Sequence, residues 1–240
     1  ISVEPIDDEV RKFLKEDYAE LKAQADDQTE VRDALVEHGL DQDEADNIMD
    51  AYEENLFINA SRGIKNLREI QEYLVDAFHE FCDEGPMAGE PVTGLKVKLH
   101  DASLHEDAIH RGPSQMVPCT RDAITRGFLQ STPRMIEPVR ILRIDVPTTV
   151  MGDAMTEVSN RRGDVLNMEE EGDSTILKCK LPVEEMFGFE AALKGATNGK
   201  GFFSAKDMIF EAMPMNLQEE KIMKIRERKG MKQEMPSLEE

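Results

Sequence analysis

Val139-Arg140-Ile141-Leu142-Arg143-Ile144-Asp145-Val146 reads as a β-strand, dense in branched apolar residues, and it opens an alternation of strands and helices that defines one domain. Residues 150–160 have helical spacing, with Val150, Ala154 and Val158 on one face and Met151 and Met155 beside them. Residues 164–168 form a strand, Gly172-Asp173 a turn and residues 175–181 another strand. A helix over 184–193 and a strand over 202–210 complete the set. The order is β-α-β-β-α-β, a ferredoxin-like unit.

Upstream, Pro133 and Pro138 bracket a linker, and a different pattern precedes it. A short strand is expected over 2–6 and a long acidic helix over 7–38, carrying Val10, Phe13, Leu14, Leu21, Val31 and Leu35 and closed by Gly39. A second acidic helix should run from Asp41 through Ile48, Met49 and Tyr52, followed by a brief strand at Leu56-Phe57-Ile58. The clearest helix spans 63–83: Ile64, Leu67, Ile70, Leu74, Val75, Phe78, Phe81 and Cys82 share a face, Ser61 is placed to cap it, and Gly85-Pro86 stops it. Residues 95–101 alternate, with Leu95, Val97 and Leu99 opposite Lys96, Lys98 and His100. Pro118 suits the first turn of a helix whose inner face is Ala123, Ile124, Gly127 and Phe128. Downstream of the ferredoxin-like unit, an amphipathic helix over 217–229 ends at Gly230, and residues 231–240 read as frayed. The preceding unit is already complete, so this helix is expected to pack at least partly on the first domain.

The 240 residues suffice for about two domains. With 40% hydrophobic and 33% charged residues the profile is globular, and no apolar run reaches the roughly 18 residues of a membrane span. Ile1 opens inside a strand-like run with neither an initiator Met nor a signal segment, and further chain is expected before it. Cys82, Cys119 and Cys179 form no CxxC pair; each is read as a small buried hydrophobe in a reducing cytosol. The formal net charge is −21, unevenly spread. Residues 1–60 carry 19 acids and five bases, whereas 111–143 carry six arginines (111, 121, 126, 134, 140 and 143) against Asp122 and Glu137. An acidic body with a local arginine-rich stretch fits a salt-adapted RNA-binding protein; arginines spread over unrelated surfaces would give the same count.

Several fragments imitate catalytic or metal motifs and fail. Gly195-Ala-Thr-Asn-Gly199-Lys200-Gly201 has three residues between its glycines where a phosphate loop needs four, and Gly where Ser or Thr must bind magnesium. It is read as a turn before a strand, and the chain is expected not to bind GTP. Asp41, Asp43 and Asp46 mimic a calcium loop but place Asp46 at the obligatory glycine, so an acidic helix start is expected. His100, His105 and His110, five apart, suit neither one face of a strand nor one face of a helix; no metal ligand and no catalytic residue is assigned.

One further stretch carries chemistry, residues 104–115, Leu-His-Glu-Asp-Ala-Ile-His-Arg-Gly-Pro-Ser-Gln. Gly112-Pro113 is expected to force a tight reversal and to leave His110 and Arg111 protruding at a loop tip. An imidazole, a guanidinium, and hydroxyl and amide donors suit base stacking and phosphate contact; an ordinary exposed turn is the alternative. The stretch closely resembles the domain IV tip of elongation factor 2. Arg161-Arg162-Gly163 and Pro182-Val183-Glu184-Glu185-Met186-Phe187-Gly188-Phe189 resemble that family's domain V, and residues 225–232, Ile-Arg-Glu-Arg-Lys-Gly-Met-Lys, its C-terminal helix. Pro113-Ser114 replaces the all-glycine turn of eukaryotic members, which points to the archaeal branch, and Lys194-Gly195 stands where an Arg-Ser pair is expected.

The resemblance implies an α+β chain: a ribosomal-protein-like split β-α-β domain IV over 1–135, a ferredoxin-like domain V over 136–214, and a C-terminal helix and tail over 215–240 returning to domain IV. It implies a cytoplasmic monomer, part of a GTPase that moves tRNA and mRNA through the ribosome. GTP and magnesium would sit in the missing N-terminal part, leaving this chain without a cofactor. It implies that His110 becomes diphthamide through the diphthamide biosynthesis enzymes. His110, Arg111, Gly112, Pro113, Ser114 and Gln115 would contact ribosomal RNA and the tRNA–mRNA duplex. The rival readings are a free-standing RNA-binding module and a histidine metalloenzyme.

Overall fold

The computed structural model describes residues 1–25 and 27–238, and the chain falls into two compact units: Ile1–Pro133 with Glu219–Glu240, and Arg134–Gln218. In the first unit the elements run β1 (Ser2–Pro5), α1 (Asp8–Glu16), α2 (Tyr18–Gln24), α3 (Gln28–Glu37), α4 (Gln42–Asp46), β2 (Ile48–Tyr52), β3 (Asn55–Asn59), α5 (Leu67–Asp83), β4 (Leu95–Leu99) and α6 (Pro113–Gln130). The sheet order is β1-β4-β3-β2; β3 and β4 are parallel neighbours joined through α5, and the outer pairs are antiparallel.

This sheet is covered on both faces. Phe57, Leu95, Val97 and Leu99 meet Ile70, Leu74, Phe78 and Phe81 of α5 and Ile124 of α6. Leu56 and Ile58 face the other way, against Val10, Phe13, Leu14, Leu35 and Ala45. Leu56, Phe57 and Ile58 are all at most 1% exposed, so β3 holds the unit together, each side chain contributing roughly 1.5–3 kcal/mol by burial.

Several local expectations give way. The single helix over 7–38 is three: Asp17 (φ −121°) separates α1 from α2, and the Asp27 carboxylate accepts the Thr29 N–H at 2.6 Å to start α3. Asp26, inside the span of that expected helix, lies outside the described residues. The second acidic helix stops at Asp46, and Ile48–Tyr52 is a strand because Glu53 (φ 51°) turns the chain back to pair Tyr52 with Asn55. Asp41 does cap α4, accepting the Asp43 N–H at 2.9 Å. The helix expected from residue 63 begins at Leu67, and Ser61 donates to Asn59 instead of capping it. The α6 helix begins at Pro113, not near Pro118, which lies inside the helix and leaves the Ser114 carbonyl without its usual donor.

In the second unit, β5 (Ile136–Pro147), α7 (Met151–Asn160), β6 (Asp164–Glu171), β7 (Ser174–Pro182), α8 (Phe189–Ala196) and β8 (Phe202–Ala212) form an antiparallel sheet of order β6-β7-β5-β8, the ferredoxin-like arrangement. Leu142, Ile144, Val146, Leu177, Cys179 and Leu181 pack under Ala154, Val158, Phe189 and Leu193. The helix expected over 184–193 is interrupted: a 3-10 turn spans Val183–Met186, and Gly188 at φ 72° reorients the chain before α8, a conformation that costs glycine little. The imitation phosphate loop is the exit from α8, where the Thr197 hydroxyl accepts the Gly201 N–H at 2.8 Å.

The last helix, α9 (Met215–Arg228), contains the boundary between the units. Its C-terminal end belongs to the first: Arg226 donates to the carbonyls of Met87 (2.9 Å) and Lys232 (2.7 Å), and Lys229 to that of Gly89. The tail, expected to be frayed over 231–240, is therefore pinned at Lys232; residues 239–240 lie outside the described residues.

Candidate functional site

Because β3 and β4 run parallel, pairing Leu56 with Lys96 and Asn59 with Leu99, the chain leaves both at the same edge of the sheet. Two loops emerge there. After β3, the Asn59 side-chain carbonyl accepts both the N–H (3.1 Å) and the hydroxyl (2.6 Å) of Ser61 and turns the chain outward. Residues 62–66 then lead to α5 through Asn66 at φ 64°. After β4, residues 100–112 form the second loop. Ile64 from the first and Leu104 from the second pack on one core cluster, as do Leu67 at the start of α5 and Met116 in the first turn of α6.

The second loop is folded on itself. The Asp107 N–H donates to His105 Nδ1 at 3.1 Å, and the Asp107 carboxylate accepts the Ile109 N–H at 3.1 Å. These bonds wind Ala108–His110 into a 3-10 turn that exposes His110 and leaves Ile109 75% exposed. The His105 and His110 rings meet edge to face, 4.5 Å between centroids. Spacing by five gave no reason to expect that contact; the 3-10 turn supplies the bend. His100 does not join them and shares a hydrogen bond of 2.7 Å with Ser2. Among the described residues no group of three or more His, Cys, Asp or Glu could hold a metal ion.

Gly112 precedes α6 as its N-cap residue, and Pro113, Ser114 and Gln115 form the exposed first turn. His110, Pro113, Ser114 and Gln115 are thus near one another at the surface. The Ser114 hydroxyl donates to Gln115 Oε1 at 2.9 Å. Pro113 has no N–H and the Gly112 carbonyl accepts the Gln115 (3.1 Å) and Met116 (3.0 Å) N–H groups, so this 18-residue helix offers at its N-terminus mainly a partial positive charge.

Arg111 departs from expectation. It does not protrude: only 8% of its surface is exposed, and its guanidinium ties its own loop to the start of α5. One Nη donates to the carbonyls of His105 (2.8 Å) and Glu106 (2.9 Å), and the other pairs with Glu69 of α5 at 2.6 Å. Nε is buried without a hydrogen-bond partner. The planar fork suits bracing two carbonyls and a carboxylate together.

The arginine-rich stretch divides between the two units. Arg111, Arg121 and Arg126 belong to the first unit, and Arg134, Arg140 and Arg143 to the second. Arg121 lies 3.7 Å from Glu80, Arg126 pairs with Asp122, Arg134 donates to the Met213 carbonyl, and Arg143 pairs with Asp145. Exposed cations beside the His110 loop come from the other loop: Arg62 and Lys65, with Arg68 in the first turn of α5. They form no ion pair among the described residues. Parallel pairing of β3 with β4 was the signal that could have placed their loop at the same end of the sheet as the His110 loop, and no local pattern carries it. Cys119, expected to be buried, is exposed on α6, whereas Cys82 and Cys179 are buried, and burial pushes both thiols up.

No helix among the described residues is long and apolar enough to cross a membrane. Residues 20–132 match the family described as "Elongation factor G, domain IV", and residues 134–221 the one described as "Elongation factor G C-terminus". Elongation factor 2 of Methanocaldococcus jannaschii is 45% identical over 97% of this chain and 32% of its own length. That of Archaeoglobus fulgidus is 43% identical over the whole of this chain and 33% of its own length, and that of Halobacterium salinarum 42% over 98% and 32%. The chain spans about a third of the length of the curated relatives it matches.

Proposed function

The chain belongs to the elongation factor G and elongation factor 2 family, of which it carries domain IV and the C-terminal domain, and we propose that it supplies the tip that enters the decoding region of the ribosome during GTP-dependent translocation. The observation that carries this reading is the His110 loop, an exposed imidazole at the end of a domain, held by Arg111 and by the Asp107 turn. His110 is the residue converted to diphthamide by the cytoplasmic biosynthesis enzymes, which need the ring accessible. With Gly112, Pro113, Ser114 and Gln115 it contacts the tRNA–mRNA duplex and ribosomal RNA. The ring and the added positive group meet phosphates, and the α6 N-terminus favours anions beside them.

On this reading residues 1–135 are domain IV, 136–214 domain V, and 215–240 return to domain IV; the bonds from Arg226 and Lys229 to the 86–90 turn support that last assignment. GTP and magnesium are held elsewhere in a monomeric full-length factor, in a domain this chain does not include. Arg111 acts as the brace of the tip and not as its free cation.

The test is His110→Ala in the full-length factor. GTP hydrolysis on the ribosome should stay close to wild type while translocation slows or loses reading-frame accuracy. Loss of GTP hydrolysis with normal frame maintenance would refute the tip assignment.

A further inference from the structure

Residues 61–68, Ser-Arg-Gly-Ile-Lys-Asn-Leu-Arg, hold three cations and no acid in a chain of net charge −21, directly after a segment with 19 acids in 60 residues. Arg62, Lys65 and Arg68 are exposed and have no ion-pair partner among the described residues. Their position is set by the fold. The loop that carries them leaves β3 at the edge where the His110 loop leaves the parallel neighbour β4, and the Arg111–Glu69 bridge of 2.6 Å ties the start of α5 to that second loop. A strongly acidic protein repels polyanions at long range, so binding one requires unpaired cations at the contact itself. Arg111 is spent inside the fold and cannot serve.

We propose that Arg62, Lys65 and Arg68 form a phosphate-binding cluster that takes the sugar-phosphate backbone of RNA at the end of the sheet where the His110 loop also emerges. The cluster positions the nucleic acid without reading its sequence, since cations on flexible stems contact phosphate oxygens whatever the base. The inference rests on the tip being an RNA-facing end. It adds that most of the tip's electrostatic affinity lies on the loop after β3, not on the loop that carries His110.

The experiment uses the 240-residue chain and a short fluorescein-labelled RNA hairpin, with anisotropy followed across a salt series. Three variants are compared with wild type: the neutralised Arg62→Gln/Lys65→Gln/Arg68→Gln, the charge-keeping Arg62→Lys/Arg68→Lys, and His110→Ala. Each phosphate contact contributes roughly 0.7–0.9 to the slope of log affinity against log salt. Neutralisation should therefore flatten the slope by about two units, a loss of about 100-fold at 0.1 M salt relative to 1 M. The charge-keeping variant should retain the slope. Thermal midpoints of all variants are read in parallel, and a lowered slope with an unchanged midpoint separates lost contacts from lost folding. An unchanged slope on neutralisation overturns the cluster even if His110→Ala weakens binding, and points to an acidic protein partner. A flattened slope with His110→Ala unaffected supports the cluster and counts against RNA contact by His110. Absence of RNA binding by the wild-type chain at low salt overturns both.

Discussion

Arg111→Ala removes a buried guanidinium that holds two backbone carbonyls and one carboxylate. Hydrogen bonds from a charged donor are worth about 1.5–3 kcal/mol each, so the bonds to His105 O and Glu106 O give a gross loss of about 3–6 kcal/mol. The Glu69 bridge adds little, because that carboxylate is 52% exposed and such pairs are worth about 1 kcal/mol or less. Two effects offset the loss. Water can reach the freed carbonyls of an exposed loop, and the buried Nε, unsatisfied at a cost of about 1–3 kcal/mol, disappears with the side chain. The net expectation is about 2–3 kcal/mol, concentrated in the tip. Amide exchange over residues 105–111 should accelerate by roughly 30- to 150-fold, since each 1.4 kcal/mol is tenfold. Arg111→Lys should rescue only part, because an ammonium cannot span the fork. Hydrogen exchange read by peptide mass, alongside denaturant melts, measures this. If Arg111→Ala leaves exchange and stability unchanged while RNA affinity falls with a flatter salt slope, Arg111 is a free contact residue and the brace is wrong.

The same packing has other measurable consequences. In the second unit Arg162 reaches both Glu137 oxygens (2.8 and 3.0 Å) and Glu185, and these bonds raise its pKa; Glu137 is buried, so Arg162→Ala should destabilise that unit by about 2–4 kcal/mol in urea melts. Burial pushes Glu44 up, but hydrogen bonds from Lys96 and Lys98 outweigh it and hold the carboxyl below the usual carboxylate range. A depressed folded value gives stability that is present above the unfolded value, about 4.3, and is lost as pH falls through the folded one; stability measured from pH 6 to pH 2 should fall in that window, and less in Glu44→Gln. Cys119 should react with an aromatic disulfide reagent within minutes in the native chain, while Cys82 and Cys179, buried and pushed up in pKa, react only on unfolding, a difference read by absorbance.

The ferredoxin-like unit was legible in the order of its elements, though not in every bound, because its strands alternate or run apolar, its helices have a periodic inner face, and the turns between them are short and local. The helix expected over 63–83, which forms from Leu67, and the alternating strand expected over 95–101, which ends at Leu99, were legible for the same reason, and the 104–115 motif marked the candidate site without help from the fold. Tertiary structure decided the rest. Ile48–Tyr52 fits a helix or a strand equally on its own, and it is a strand because Leu56–Ile58 offers it an edge. A sequence shows that Arg111 is charged; only the placement of Glu69 and two carbonyls turns that charge inward. The loop with Arg62 and Lys65 leaves the sheet at the same end as the loop with His110, more than 40 residues away in sequence, through the parallel pairing of β3 with β4. Periodicity reports which way a side chain faces along its own element, whereas the partner across a sheet edge depends on which strands pair, and that is a property of the whole chain.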